Sequence, residues 1–432
     1  MFARSSYSSK SVLVLGLGSS GVSAAKFLLQ NGAKVYAYDD NLLKGKDIDG
    51  IGAFPEKNFE RVENPKSLDF KRIDFVLVSP GIPPTHILYR KAKDRSVQII
   101  GEAEFALRCI SQKKIGITGT NGKTTVTMMT AHVLNDIGMA AQAVGNIGVP
   151  LTSLLSSRIS SDVFVVELSS FQLETMSSSV FDFAIILNIF PDHLDRYSSF
   201  EEYAKAKLRI QNCLKEGGKL FVEDNVSARW HKFLSFPTLS FEKASKETIE
   251  SILPFRYKKR AEYELKNLLS AYVLCSELGV SSEQFRKAME TFKKPAHRVE
   301  FVRKVNGVSY YNDSKATNVD AVVKAVDSLP GDIILIAGGK DKGLSYRLWL
   351  EAFKRKVKFI CLLGEVAQRM ARELSEGVKV MIFYRLYDAV VFAESMAKAG
   401  DNVLLSPGCT SFDMFENYAQ RGEEFKRIVH QL

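Results

Sequence analysis

Short β-branched runs alternate with longer amphipathic stretches along the whole chain, and the pattern restarts twice. Strands joined by helix-length crossovers run parallel, so such a chain builds parallel sheets with helices on their faces. The first block carries runs at 11–17, 34–39 and 73–79. The second opens at 113–118 and adds 162–168, 183–189 and 219–222. The third begins after Lys293-Lys294-Pro295, with runs at 298–302, 332–337, 357–363, 379–383 and 402–406. The expectation is an α/β protein of three domains, 1–100, 101–296 and 297–432, each a largely parallel sheet flanked by helices. The outer two read as Rossmann-like and the central one as a P-loop type. A length of 432 residues suits this, since a domain takes about 100 to 200 residues.

Composition narrows the function classes. With 46% hydrophobic and 25% charged residues the chain can bury a core in each domain. Cys109, Cys213, Cys275, Cys361 and Cys409 lie far apart with no C-x-x-C pair, which reads as reduced thiols rather than a zinc site or a disulfide framework. The stretch Met1 to Lys10 is polar, with no signal-length apolar run behind it, and no segment approaches the roughly 18 apolar residues that span a bilayer. A cytoplasmic protein without membrane insertion is expected, working as a monomer. The net charge of +10 is spread along the chain and interleaved with glutamates at 262–266 and 283–294, the pattern of solvated helix faces and not of a nucleic-acid surface.

Three features face phosphate. Gly16-Leu17-Gly18-Ser19-Ser20-Gly21 lies between a strand and a helix, with Asp39 ending the next strand. Glycines there permit a tight turn and close backbone approach to an anion at a helix N-terminus, so a dinucleotide, another nucleotide and a bare turn all remain open. Gly116-Ile117-Thr118-Gly119-Thr120-Asn121-Gly122-Lys123-Thr124 is a P-loop in all but one position, having Ile117 where the common spacing puts glycine. Backbone N–H groups there can wrap a triphosphate, Lys123 supplies a point charge, and Thr124 offers a hydroxyl to Mg²⁺. The apolar run at 163–166 ends in Glu167, a carboxylate at the ligand edge of the same sheet and suited to Mg²⁺.

Gly119-Thr120-Asn121-Gly122-Lys123-Thr124, Glu167-Leu168-Ser169-Ser170-Phe171-Gln172-Leu173-Glu174, Asp192-His193-Leu194-Asp195-Arg196, His297-Arg298 and Asn312-Asp313-Ser314-Lys315-Ala316-Thr317-Asn318 together resemble the Mur ligases. The resemblance spans all three blocks and implies ATP-dependent amide ligation through an acyl phosphate and a tetrahedral intermediate. Within the family, Ser169 to Glu174, Ser79-Pro80-Gly81 and the tail Ser406 to Asp413 resemble the member that adds D-glutamate to UDP-N-acetylmuramoyl-L-alanine. Two Mg²⁺ ions are implied, with Thr124, Glu167, His193 and Lys207, the last as a carbamate, for ligands. The catalytic set so implied is Lys123, Glu167, His193, Lys207 and Lys315. ATP falls to Gly119 through Thr125, with Asn267, Arg298 and Asp313. The resemblance turns the first glycine-rich loop from dinucleotide to UDP binding, through Gly18, Ser19, Ser20, Asp39, Ser79 and Gly81, with Asn146 and His193 toward the muramoyl-alanine end. D-glutamate falls to Thr317, Lys342, Ser411, Phe412 and Tyr418. A nicotinamide dehydrogenase would leave Lys123, Glu167 and the third block without a role, and a lone P-loop kinase would not need that block.

Overall fold

The computed structural model describes residues 7–43, 48, 50–52, 54, 57–156, 160–241, 246–254, 262–353 and 356–432; the first six residues of the polar N-terminal stretch lie outside these. Three sheets carry the fold. The first comprises β1 (Ser11–Leu15), β2 (Lys34–Tyr38), β3 (Phe59–Arg61), β4 (Phe75–Val78) and β5 (Gln98–Gly101), all parallel in the order β3-β2-β1-β4-β5. The second comprises β6 (Lys113–Thr118), β7 (Ala141–Gly145), β8 (Val163–Glu167), β9 (Phe181–Ile186), β10 (Leu214–Val222) and β11 (Thr238–Ser240), parallel in the order β11-β10-β9-β6-β8-β7. The third comprises β12 (Glu300–Val305), β13 (Val308–Asn312), β14 (Ile333–Gly338), β15 (Val357–Leu363), β16 (Lys379–Ile382) and β17 (Asn402–Leu405), in the order β12-β13-β17-β14-β15-β16. There only β12 runs antiparallel to its neighbour among the described residues.

The apolar runs form central strands because both of their faces are covered. Successive side chains of a strand point to opposite faces. In the first sheet Val12, Val14, Val35 and Ala37 pack with Ala24 and Leu28 of the helix Ser19–Gln30, whereas Leu13, Leu15, Tyr36 and Tyr38 pack with Leu88 and Ala92 on the other face. The third sheet repeats this: Leu335 and Ala337 meet Trp349, and Ile334 and Ile336 meet Phe425. Each valine, leucine, isoleucine or phenylalanine among them contributes about 1.5 to 3 kcal/mol by leaving water.

Two features depart from the expected pattern. The third block was expected to open with a strand at 298–302; instead β12 starts at Glu300, and Arg298 lies in a turn between two residues of positive φ. A hairpin joins β12 to β13 through Asn306 (φ 49°) and Gly307 (φ 83°), the dipeptide that favours a type I′ turn. Contacts divide the chain into two compact units, one of Met1–Ile189, Ala204–Leu253 and Leu268–Glu290, the other of Phe190–Tyr203, Pro254–Asn267 and Thr291–Leu432. The first unit holds the first two sheets and the second unit the third.

Candidate nucleotide and substrate sites

In the first unit the P-loop leaves β6 and opens the helix Lys123–Asp136. Gly122 caps that helix in the left-handed region (φ 88°), and Gly119 (φ 155°) lies so close to β9's exit that a Cβ would stand 3.0 Å from the Leu187 Cβ. Asn188 locks the loop: its Oδ1 accepts from Asn121 N (2.8 Å), its Nδ2 donates to Asn121 O (2.9 Å), and its carbonyl accepts from Thr120 N (2.9 Å). Two lysines converge on one acceptor. Lys123 Nζ donates to Gly119 O and to Thr120 O, each at 2.9 Å, and Lys207 Nζ donates to the same Gly119 O at 2.7 Å. Lys207 is 2% exposed, so a long cationic side chain is buried under the phosphate loop. Thr124 and Thr125 follow in the first turn of the helix.

Glu167 ends β8 beside the loop, its residue paired across the sheet with Ile117. It is 1% exposed. Asn146 Nδ2 donates to its Oε1 (3.1 Å), while its Oε2 is buried with no hydrogen-bond partner. Nearly all buried polar atoms find partners, so an orphaned carboxylate oxygen at the rim of a phosphate loop is a fitting place for a cation. Asn146 N also donates to Glu167 O at 2.9 Å, so two residues expected in separate roles, metal and muramoyl-alanine, are held as a pair. Among the described residues no cluster of three or more His, Cys, Asp or Glu side chains forms a metal cage. That donor set suits Mg²⁺ held by one carboxylate, phosphate and water.

The first glycine-rich loop is braced from below. Asp39 accepts from Leu17 N (2.7 Å) and Asn41 N (2.8 Å), and Ser79 Oγ donates to Gly16 O (2.8 Å). Gly16 has φ 88° and Gly21 leaves no room for a Cβ, which would sit 1.8 Å from Gly16 O. Above the loop a cleft of about 800 Å³ is lined by Gly18, Ser19, Lys26, Asn41 and Ser153, a volume within the usual range for a ligand pocket. Of the residues expected for UDP, Gly18 and Ser19 line this cleft. Ser20, Asp39, Ser79 and Gly81 do not; Asp39 and Ser79 shape the loop through its backbone. Ser23 and Lys26 also face the cleft. They escaped the sequence reading although they follow Ser19 at helical spacing on one face.

In the second unit Asp192 organises the residues around it. Lys342 Nζ stands 3.0 Å from Asp192 Oδ1, Asn318 Nδ2 donates to Oδ2 at 3.4 Å, and His193 N donates to Oδ1 at 2.9 Å. Burial works to raise the Asp192 carboxyl, but Lys342 and His193 outweigh it and hold it below the usual carboxylate range. Lys342, expected to hold an anionic amino acid, is thus already neutralised in part by a buried aspartate. The Lys315 ammonium lies 3.8 Å from the centre of the Tyr418 ring, and His297 meets that ring edge-on. Ser411 is buried, Phe412 is 66% exposed, and Thr317 is partly exposed beside Asn318. Asn267 lies partly exposed in the helix Glu262–Ser276, where Glu264, three residues earlier, forms an ion pair with Lys294.

Asp313 is buried at 6% exposure, with Oδ1 accepting from Val299 N (3.2 Å) and Oδ2 from Ser406 Oγ (2.7 Å). ATP, its expected partner, would find only the remaining lone pairs. Desolvation pushes its carboxyl up to about 7 against the opposing pull of Ser406 and Arg298. In an unfolded chain the group titrates near 4. Between these values the folded state holds a proton that the unfolded state has released, so stability present below about pH 4 is lost as the pH rises through about 7. Asp313→Asn removes this dependence. Thermal melts from pH 4 to 8 are expected to show the wild type losing a few degrees relative to Asp313→Asn, at about 2 to 4 °C per kcal/mol. Parallel profiles would remove Asp313 as the titrating group.

Comparison with known proteins agrees along the whole chain. A Mur ligase MurD-like N-terminal domain matches residues 10–101, the Mur ligase middle domain matches 117–271, and the Mur ligase glutamate ligase domain matches 297–409. The chain is 44% identical over 439 residues to the UDP-N-acetylmuramoylalanine–D-glutamate ligase of Protochlamydia amoebophila, covering 99% of each. It is 38% identical over 450 residues to the enzyme of the same name from Caldicellulosiruptor saccharolyticus, covering 98% of this chain and 99% of that one. In fold it is similar to the Thermotoga maritima MurF ligase solved in complex with ADP, with a TM-score of 0.59 over 100% of this chain and 97% of that one, at 15% identity.

Proposed function

The chain belongs to the Mur ligase family, and from that premise we propose how its residues perform the family's reaction. It is an ATP-dependent ligase that adds D-glutamate to UDP-N-acetylmuramoyl-L-alanine in peptidoglycan precursor synthesis. In that chemistry the alanyl carboxylate takes the γ-phosphoryl group of ATP, and the D-glutamate amine then displaces phosphate through a tetrahedral intermediate. The observation that carries the assignment of roles is the orphaned Glu167 oxygen at the edge of the P-loop.

Lys123 and the N–H groups of Gly119 to Thr125 bind the phosphates, with the loop held in shape beforehand by Asn188. Thr124 and Glu167 hold the first Mg²⁺, which when bound neutralises developing phosphoryl charge. Lys207, as a carbamate, serves a second ion; its nitrogen keeps an N–H for Gly119 O after carbamylation while two carboxylate oxygens are gained. The cleft over Gly18 and Ser19 takes the UDP moiety, and Asn146 orients the muramoyl-alanine end through its pairing with Glu167. In the second unit Lys342, Thr317, Ser411 and Tyr418 receive the dicarboxylate, with Asp192 holding the Lys342 ammonium in place. The enzyme works as a monomer in the cytoplasm, a reducing compartment in keeping with five buried free cysteines.

The test is ADP release with ATP, Mg²⁺ and UDP-N-acetylmuramoyl-L-alanine across a panel of amino acids of both configurations. D-glutamate is expected to exceed every other by at least about 10³-fold, since a site built for charged groups rejects analogues that leave those groups unpaired. Comparable rates with L-alanine or lysine would refute the substrate assignment.

A further inference from the structure

Arg298 sits between two residues whose backbones are left-handed, His297 at φ 62° and Val299 at φ 46°. For a β-branched residue a positive φ is a true outlier, held only where the surroundings over-determine it. The surroundings here can be named. Asp313 Oδ1 accepts from Val299 N at 3.2 Å, Glu300 Oε2 accepts from His297 N at 2.9 Å, and His297 O accepts from Lys315 N at 3.1 Å. The His297 ring bonds Asn312 Nδ2 through Nδ1 at 2.9 Å and occupies space left by Gly422, where a Cβ would approach Nδ1 to 2.3 Å. Val299 packs on the core of the third sheet. Asp313 is itself anchored, its N–H donating to Leu405 O at 2.7 Å and its Oδ2 accepting from Ser406 Oγ at 2.7 Å. A rigid carboxylate at the end of β13 thus grips the one backbone N–H that follows Arg298.

We propose that Asp313 is a positioning residue, whose carboxylate holds Val299 in its left-handed conformation and so fixes where Arg298 leaves the turn. This rests on the reading that Arg298 contacts ATP, and it gives Asp313 a role that needs no contact with the nucleotide. Without the acceptor, valine relaxes to an ordinary backbone conformation and carries Arg298 with it. A glycine at 299 has no such preference and keeps the turn unaided.

A double-mutant cycle on the full chain tests this. Asp313→Ala is expected to lower kcat/KM for ATP about 30-fold and Val299→Gly about threefold, while the double variant recovers about tenfold over Asp313→Ala, a coupling of the size seen for residues in contact. Asp313→Asn, whose amide oxygen still accepts from Val299 N–H, stays within about fivefold of wild type and separates loss of the grip from loss of the fold. Additive losses in the double variant, or an Asp313→Asn as impaired as Asp313→Ala, would overturn the proposal and assign the carboxylate to direct nucleotide contact. Hydrogen exchange at the Lys315 amide, bonded to His297 O, gives a readout independent of the reaction. It is expected to speed in Asp313→Ala and to return toward the wild-type rate in the double variant; unchanged exchange in Asp313→Ala overturns the positioning role. A wild-type enzyme without D-glutamate-dependent turnover would instead refute the function assigned above, and the exchange cycle would still decide the role of Asp313.

Discussion

Lys123→Ala is expected to lower D-glutamate-dependent ADP release about a thousandfold, the upper end of what removal of one preorganised electrostatic contact to a transition state causes. The loop itself survives the change. Lys123 gives up two hydrogen bonds to Gly119 O and Thr120 O, each worth about 1 kcal/mol net, while Asn188 and the backbone of Gly122 keep the loop in place. The melting temperature should therefore fall by only about 4 to 8 °C, and the loss of rate is then a loss of phosphate charge neutralisation. Lys207 donates to the same carbonyl but cannot substitute, because its nitrogen is buried beneath the loop and Lys123 lies at the start of the helix, where a phosphate meets N–H groups and ammonium together. A residual rate above about a tenth of wild type would show that Lys123 does not act on the transferred phosphoryl group.

Much of this site is legible from local sequence, because a P-loop is made of neighbours. A buried strand, glycines able to adopt positive φ, a lysine and a hydroxyl follow one another within nine residues, and Glu167 ends an apolar run that could only be a central strand. The short strands β3, β5, β7 and β11 were missed for a physical reason: each is a sheet edge with few buried residues, so no long apolar run marks it. The hairpin at Asn306-Gly307 did carry its signal, a turn dipeptide flanked by Val305 and Val308, and was hidden by the expectation of parallel strands throughout. Asn188 and Asp192 act through partners 67 and 150 residues distant. Nothing in the residues around either one announces such a partner. The turn at His297 to Val299 is the extreme case, since valine's own preference opposes the conformation it adopts and only Asp313, Glu300 and Gly422 together explain it.

Glu167→Gln separates stability from function at the proposed metal position. Glutamine preserves the shape of the side chain, and its amide oxygen can still accept from Asn146 Nδ2, the contact that Glu167 makes through Oε1 at 3.1 Å. What changes is the other end. The buried, unpartnered Oε2 becomes an N–H₂ group, so an acceptor carrying negative charge is replaced by a neutral donor that repels a cation. A buried charge lacking a full set of partners is a burden on the fold, and the variant is accordingly expected to melt at or about 1 to 3 °C above the wild type in metal-free buffer. With ATP and Mg²⁺ the order is expected to reverse: the wild type gains stability from ligand binding, while the variant loses most of that gain because the proposed Mg²⁺ contact is gone. Turnover should fall about a thousandfold, comparable with Lys123→Ala, since both remove charge proposed to face the phosphoryl group. Glu167→Ala would confound the two effects by leaving Asn146 unpaired and opening a cavity at the end of β8. Should Glu167→Gln keep both its Mg²⁺-dependent thermal shift and more than about a tenth of the wild-type rate, the orphaned oxygen is a packing feature of β8 and the metal must be held elsewhere.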